Sequence, residues 1–142
     1  MLVFKLTKLW LFSILLLTVS VVPTSAASKT VKLKITFVSA TLDENNHVGN
    51  EWWWGGYING KVVEEGSTVV LNLKTTDKIR LKAEAQEQDK YPDYGESNAT
   101  IKVSSITKAI HKPLKVTVTE NRGRYSGNIA TWKFVFKVEK SS

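Results

Sequence analysis

The sequence predicts an all-β protein: an eight-stranded antiparallel β-sandwich that follows a cleaved secretory signal peptide. Three observations carry this expectation. Apolar and polar residues alternate with a period of two along most of the chain, turn-forming residues separate the alternating runs, and each run keeps one wet face. Strands of a doubly covered parallel sheet would read as continuous apolar runs, so two antiparallel sheets packed face to face are expected.

The leader comes first. Lys5 and Lys8 precede an apolar run from Leu9 to Val22 and then Pro23-Thr-Ser-Ala-Ala27, the charged, apolar, small-residue order of an export signal. Thr24 and Ala26 suit the two small-residue positions before a cut, so residues 1–26 form the signal and 27–142 the exported domain, with cleavage after Ala27 the adjacent alternative. The remaining chain, about 115 residues, is enough for one domain with its own core. It has no cysteine, so neither disulfides nor a thiolate zinc site can hold it together.

Strands are expected over 31–42, 51–59, 61–64, 67–74, 78–87, 99–104, 114–120 and 129–138. Val31, Leu33, Ile35 and Phe37 share one face of the first, opposite Lys32, Lys34 and Thr36. Trp132, Phe134, Phe136 and Val138 do the same in the last. Asn59-Gly60, between Tyr57-Ile58 and Lys61-Val62-Val63, is a hairpin signal for a type I′ turn. The alternation predicts that Trp53 faces opposite to Trp52 and Trp54, and Gly55-Gly56 predicts a bulge, a close backbone approach or room for a ring. A helix is expected only around Ile106 to His111.

Strand parity then places the loops. With eight strands running alternately up and down, the first, third, fifth and seventh connections fall at one end, which gathers Asp43–Asn50, Gln88–Asn98 and Asn121–Asn128 at one rim. Asp43, Glu44, Asp89 and Asp93 in these loops are hard oxygen donors of the kind calcium takes, with Pro92 and Gly95 bending the second loop. The same residue types also cap turns and satisfy loop backbone, which is the competing account. Arg122 and Arg124 can hold a phosphate or carboxylate, and Trp52 or Trp54, with Tyr91 or Tyr94, can stack on a sugar ring.

Eight antiparallel strands with acidic loops at one end resemble the C2 domain, a β-sandwich whose members often bind calcium and then phospholipid. The resemblance implies a first-loop role for Asp43 and later-loop roles for Asp89 and Asp93. The family's usual set of five aspartates is not met, and the third loop carries Arg122 and Arg124 instead. The phrases HVGNEW and DKYPDYG are also similar to small exported proteins of Gram-positive bacteria.

Charge narrows the partner. The chain has 20 basic and 13 acidic residues, a net charge of +7; losing Lys5 and Lys8 takes this to 18 against 13, or +5. An anionic cell-wall polymer, a membrane surface or a polysaccharide is therefore expected, and nucleic acid is not, because no base-reading motif accompanies the charge. Only His47 and His111 are available for acid–base work, and G-x-S-x-G, HExxH and phosphate-cradling motifs are absent. The sequence thus reads as a secreted, extracellular, non-enzymatic binding module, acting through an acidic and calcium-dependent rim toward an anionic cell-surface or membrane ligand. Two alternatives stand beside it: a carbohydrate- or wall-binding module using exposed Trp and Tyr, and a secreted toxin, inhibitor or immunity factor that binds a protein.

Overall fold

The structure is a computed structural model that describes residues 20–23 and 27–142; the leader expected over residues 1–26 lies almost wholly outside them. Eight strands form two four-stranded antiparallel sheets. β1 (Thr30–Asn45), β4 (Thr68–Lys74), β7 (Ile110–Thr119) and β8 (Ile129–Lys140) make one sheet, in the order β4-β1-β8-β7. β2 (Trp52–Ile58), β3 (Lys61–Val63), β5 (Lys78–Glu87) and β6 (Asp93–Lys102) make the other, in the order β3-β2-β5-β6. The short β3 is a true strand, paired with β2 through Gly56↔Val63 and Ile58↔Lys61, so the parity count holds. Among the described residues no helix is long and apolar enough to cross a membrane.

The core forms where the inward rows of the two sheets meet. Leu33, Ile35 and Phe37 of β1 and Phe134 and Phe136 of β8, from one sheet, and Ile79, Leu81 and Ala83 of β5, from the other, belong to this core, all buried. Phe37 stacks on Phe136 at 5.1 Å between ring centroids and on Phe134 at 5.8 Å. It fits because Gly56 lies opposite: a Cβ there would come within 2.7 Å of the Phe37 Cδ1. The glycine pair therefore makes room for rings, Phe37 inside at Gly56 and Trp53 outside at Gly55. The Asn59-Gly60 turn has the expected positive φ at both residues, 49° and 81°.

Three elements depart from the sequence expectation. β6 starts at Asp93 rather than at Ala99, because its inward residues there are Asp93, Gly95 and Ser97 instead of a visible apolar row. Gly95 packs directly against the Thr117 carbonyl of β7, leaving no space for a side chain that would have signalled a strand. No helix covers 106–111: a 3-10 turn at Val103–Ser105 ends on the buried Ile106, and β7 already begins at Ile110. Pro113 is tolerated within β7 because that strand is an edge, where a missing N–H need not break a ladder.

β1 is 16 residues long, pairs with β8 along most of its length and with β4 only up to Thr36. Beyond β4 its open side is closed locally: Phe37 N–H donates to the Ser67 carbonyl, and Ala40 N–H to the Glu65 carboxylate at 3.0 Å. Register shifts between Phe37 and Ser39 and between Leu42 and Glu44 mark two bulges against β8.

Candidate functional site

The three long loops meet at one end of the sandwich, and each pairwise contact is present. Gln88 N–H donates to the Glu51 carbonyl at 2.6 Å, joining the β5–β6 loop to the β1–β2 loop. The His47 and Tyr125 rings stack at 4.8 Å, joining the β1–β2 loop to the β7–β8 loop. Asn121 donates its backbone N–H and its Nδ2 to Asp93 Oδ1, at 3.2 and 2.8 Å.

In DENNHVGNEWWWGG it is chiefly Asn45 that holds the turn itself. Asn45 Nδ2 donates to the Gly49 carbonyl, and Asn45 Oδ1 accepts from Val48 N–H at 3.1 Å, which presses the buried Val48 inward like a plug. His47 adopts a left-handed φ of 56° at the tip. Beneath the turn lies Glu87, almost fully buried, which accepts from the amides of Glu51 and Asp89 at 3.3 and 3.1 Å. Burial pushes the Glu87 carboxyl above its ordinary value, with the two amides offsetting part of the shift. A side chain at Gly49 would collide with Glu87, and the φ of +134° there also favours glycine.

The four acids expected to bind a metal are divided between two places. Asp43 and Glu44 follow the second bulge of β1 to the outer face of its sheet, lining a depression of about 390 Å³ with Lys115, Lys133, Pro113 and Thr131. Asp89 and Asp93 lie in the rim proper. Asp89 Oδ1 accepts from Tyr91 N–H at 2.7 Å, Asp93 Oδ1 is taken by Asn121, and Glu120 Oε1 accepts from Arg122 N–H at 3.2 Å. Each of these rim acids therefore spends an oxygen on a nearby amide, as turn-capping carboxylates do. Among the described residues, no group of three or more His, Cys, Asp or Glu converges as a metal site. One oxygen differs from the rest: Asp93 Oδ2 is buried without a hydrogen-bond partner.

The rim cations are disposed otherwise. Arg122 lays its guanidinium over the Tyr91 ring at 4.3 Å, with the Lys90 ammonium at 5.5 Å from the same ring, and Arg124 lies 5.7 Å from the Tyr125 centroid. None of the three cations is in an ion pair among the described residues, where the salt bridges join Lys82 to Glu84 and Glu96, and Lys137 to Glu139. Two adjoining depressions, about 350 and 370 Å³, share Tyr91 and Arg122 as a wall. Such a surface presents exposed guanidinium groups on aromatic supports, an arrangement suited to phosphate or carboxylate.

The tryptophans divide as the alternation predicts. Trp52 and Trp54 turn toward the sandwich interior against Trp132, at 5.5 and 4.9 Å, and Trp52 Nε1 donates to the Gly49 carbonyl. Trp54 keeps 40% of its surface exposed because β2 runs past the end of β3 there. Trp53 and Tyr94 stand on the outer face of the second sheet, away from Trp52 and Trp54. Alternation along β5 already put Lys82 and Glu84 on one outward face, with Lys82 read only as part of a basic sheet surface, whereas the approach of Tyr57 to them is set by strand register. No protein-family model matches this chain, and no curated protein is significantly similar to it.

Proposed function

We propose that the chain is an exported, non-enzymatic binding module of C2-like form whose rim holds a phosphate-bearing cell-wall polymer. The carrying observation is the asymmetry of the rim: its carboxylates spend oxygens on loop amides, whereas Lys90, Arg122 and Arg124 have aromatic supports and no carboxylate partner among the described residues. The net positive charge of the domain adds a general attraction toward polyanions. Export, through the leader expected over 1–26, belongs to the same proposal.

The test is cosedimentation of the domain with a phosphodiester-linked wall polymer and, in parallel, with phosphatidylglycerol vesicles. Binding to the polymer that weakens as salt rises, and that falls about tenfold or more in R122A/R124A, is the expected result. Binding to vesicles alone would move the assignment to a membrane surface. No binding to either at low salt, or an unaffected double variant, would reject the rim.

Calcium is a second reading favoured by one observation, the unpartnered Asp93 Oδ2. It would involve Asp93, with Asp89 and Asn121 as neighbours, and not Asp43 or Glu44. A cation bound there raises the melting temperature by several degrees in millimolar calcium over chelator, because only the folded state binds it. An unchanged melt removes this reading and leaves the arginine rim standing.

A further inference from the structure

The outer face of the β3-β2-β5-β6 sheet carries a second constellation, distinct from the rim. Register sets three rows across β2, β5 and β6: Trp53, Gln86 and Tyr94; then Gly55, Glu84 and Glu96; then Tyr57, Lys82 and Asn98. Directly opposed residues share a face, so all of these project to the solvent side. Glu84 sits at the centre and is only 9% exposed, although it is on an outer face.

Its burial comes from ordered neighbours. Tyr57 Oη donates to Glu84 Oε2 at 2.8 Å, and Tyr94 Oη lies 2.9 Å from Glu84 Oε1 and 2.7 Å from Glu96 Oε2, its one proton shared between two carboxylates. Lys82 pairs with Glu84, and with Glu96 at 3.4 Å. Trp53 leans along its strand over Gly55, where an added Cβ would lie 3.0 Å from its Cη2. Each tyrosine is thus pinned at its hydroxyl and the tryptophan lies over a glycine, which fixes three rings around a polar centre before any ligand arrives.

The chemistry of the face restricts its occupant. Two carboxylates against one ammonium disfavour a phosphate, and the ammonium lies between the carboxylates, where a metal ion would have to sit. The polar centre disfavours a purely apolar ligand. A pyranose chain suits both parts: its C–H faces stack on rings, and its hydroxyls donate to carboxylate and amide oxygens at the periphery. Trp53 and Tyr94 are two strand spacings apart, roughly 10 Å, the reach of two linked sugar rings.

The network also stays in one charge state near neutral pH. Burial alone would raise the Glu84 carboxyl, but Lys82 and the two phenols outweigh it and hold it below its ordinary value. Burial, and then the bonds to Glu96 and Glu84, push the Tyr94 phenol well above its ordinary value.

We propose that this sheet face is a binding platform for a neutral glycan chain, with Trp53 and Tyr94 as stacking rings and Glu96 and Gln86 as acceptors for sugar hydroxyls. It rests on residues separate from the rim, and of the rings expected from the sequence to bind sugar only Tyr94 belongs to it.

Calorimetric titration of the domain with cellohexaose, xylohexaose and chitohexaose, together with pull-down on the matching insoluble polysaccharides, tests it. At least one is expected to bind, with W53A and Y94A each weakening it about tenfold or more while the melting temperature of W53A stays within a few degrees. W53F, which keeps a stacking face, is expected to recover part of the loss. Absence of binding across the panel, or W53A binding as tightly as the parent, overturns the proposal. If Y94A loosens the fold, W53A and W53F still decide the outcome.

Discussion

Glu84 and Glu87 lie three residues apart on β5, point to opposite faces and are displaced in opposite directions. Glu87 faces inward and meets only backbone amides, so burial dominates and its carboxyl is raised. Glu84 faces outward with an ammonium and two phenols, so the donors dominate and it is lowered. A carboxyl lowered in the folded state contributes stability that is present above its unfolded value near 4.5 and lost as pH falls through the native value. The raised Glu87 works the other way, its cost growing as pH rises through its native value. Chemical denaturation at a series of pH values should therefore show E84Q losing less stability between pH 5 and pH 3, roughly, than the parent does. An identical acid limb in the two proteins would contradict the Glu84 assignment.

At the scale of elements, glycines set how closely strands approach. The Cβ of G56A would meet the Phe37 ring, which can shift within the core, while that of G95A would meet the Thr117 carbonyl, which is tied into β7. Overpacking against a movable ring costs about 1–3 kcal/mol, and pushing a backbone strand aside costs more. Urea denaturation is expected to rank G95A as the more destabilised of the two, and the reverse order would mean that β6 and β7 are less firmly opposed than their contact implies. The same glycine explains why β6 was short in the sequence reading: where a neighbour's carbonyl fills the space, no apolar side chain remains to announce a strand. Bulges were equally illegible. The shift between Leu42 and Glu44 changes which face of β1 the following residues take, and Asp43 and Glu44 line a depression with Lys115 and Lys133 rather than those lined by Asp89 or Asp93; nothing in the local residue pattern marks it.

Over the whole molecule, period-two alternation made the two-sheet frame readable, and strand parity correctly brought three distant loops to one end. Pairing between strands was not readable. That Trp53 stands in one row with Gln86 and Tyr94 depends on which strands lie side by side and in what register, information spread over more than thirty residues. The resulting surface has two separate regions, a basic aromatic rim and a polar aromatic sheet face, built from different side chains. Variants of the two should act additively, as distant sites do. In a binding assay on intact wall material, combining W53A with R122A/R124A is expected to multiply the separate losses; a triple variant no weaker than the more impaired of the two would show that only one region is used.

The length of β1 has a further consequence, in the currency of self-association. Past Thr36 the strand continues without β4, and an edge of that kind invites a second chain to add itself. Here the Glu65 carboxylate occupies the Ala40 N–H that an incoming strand would need, and places a negative charge at the point of approach. A residue outside any strand thus covers this stretch of edge: its loss would leave the Ala40 N–H open to an incoming strand.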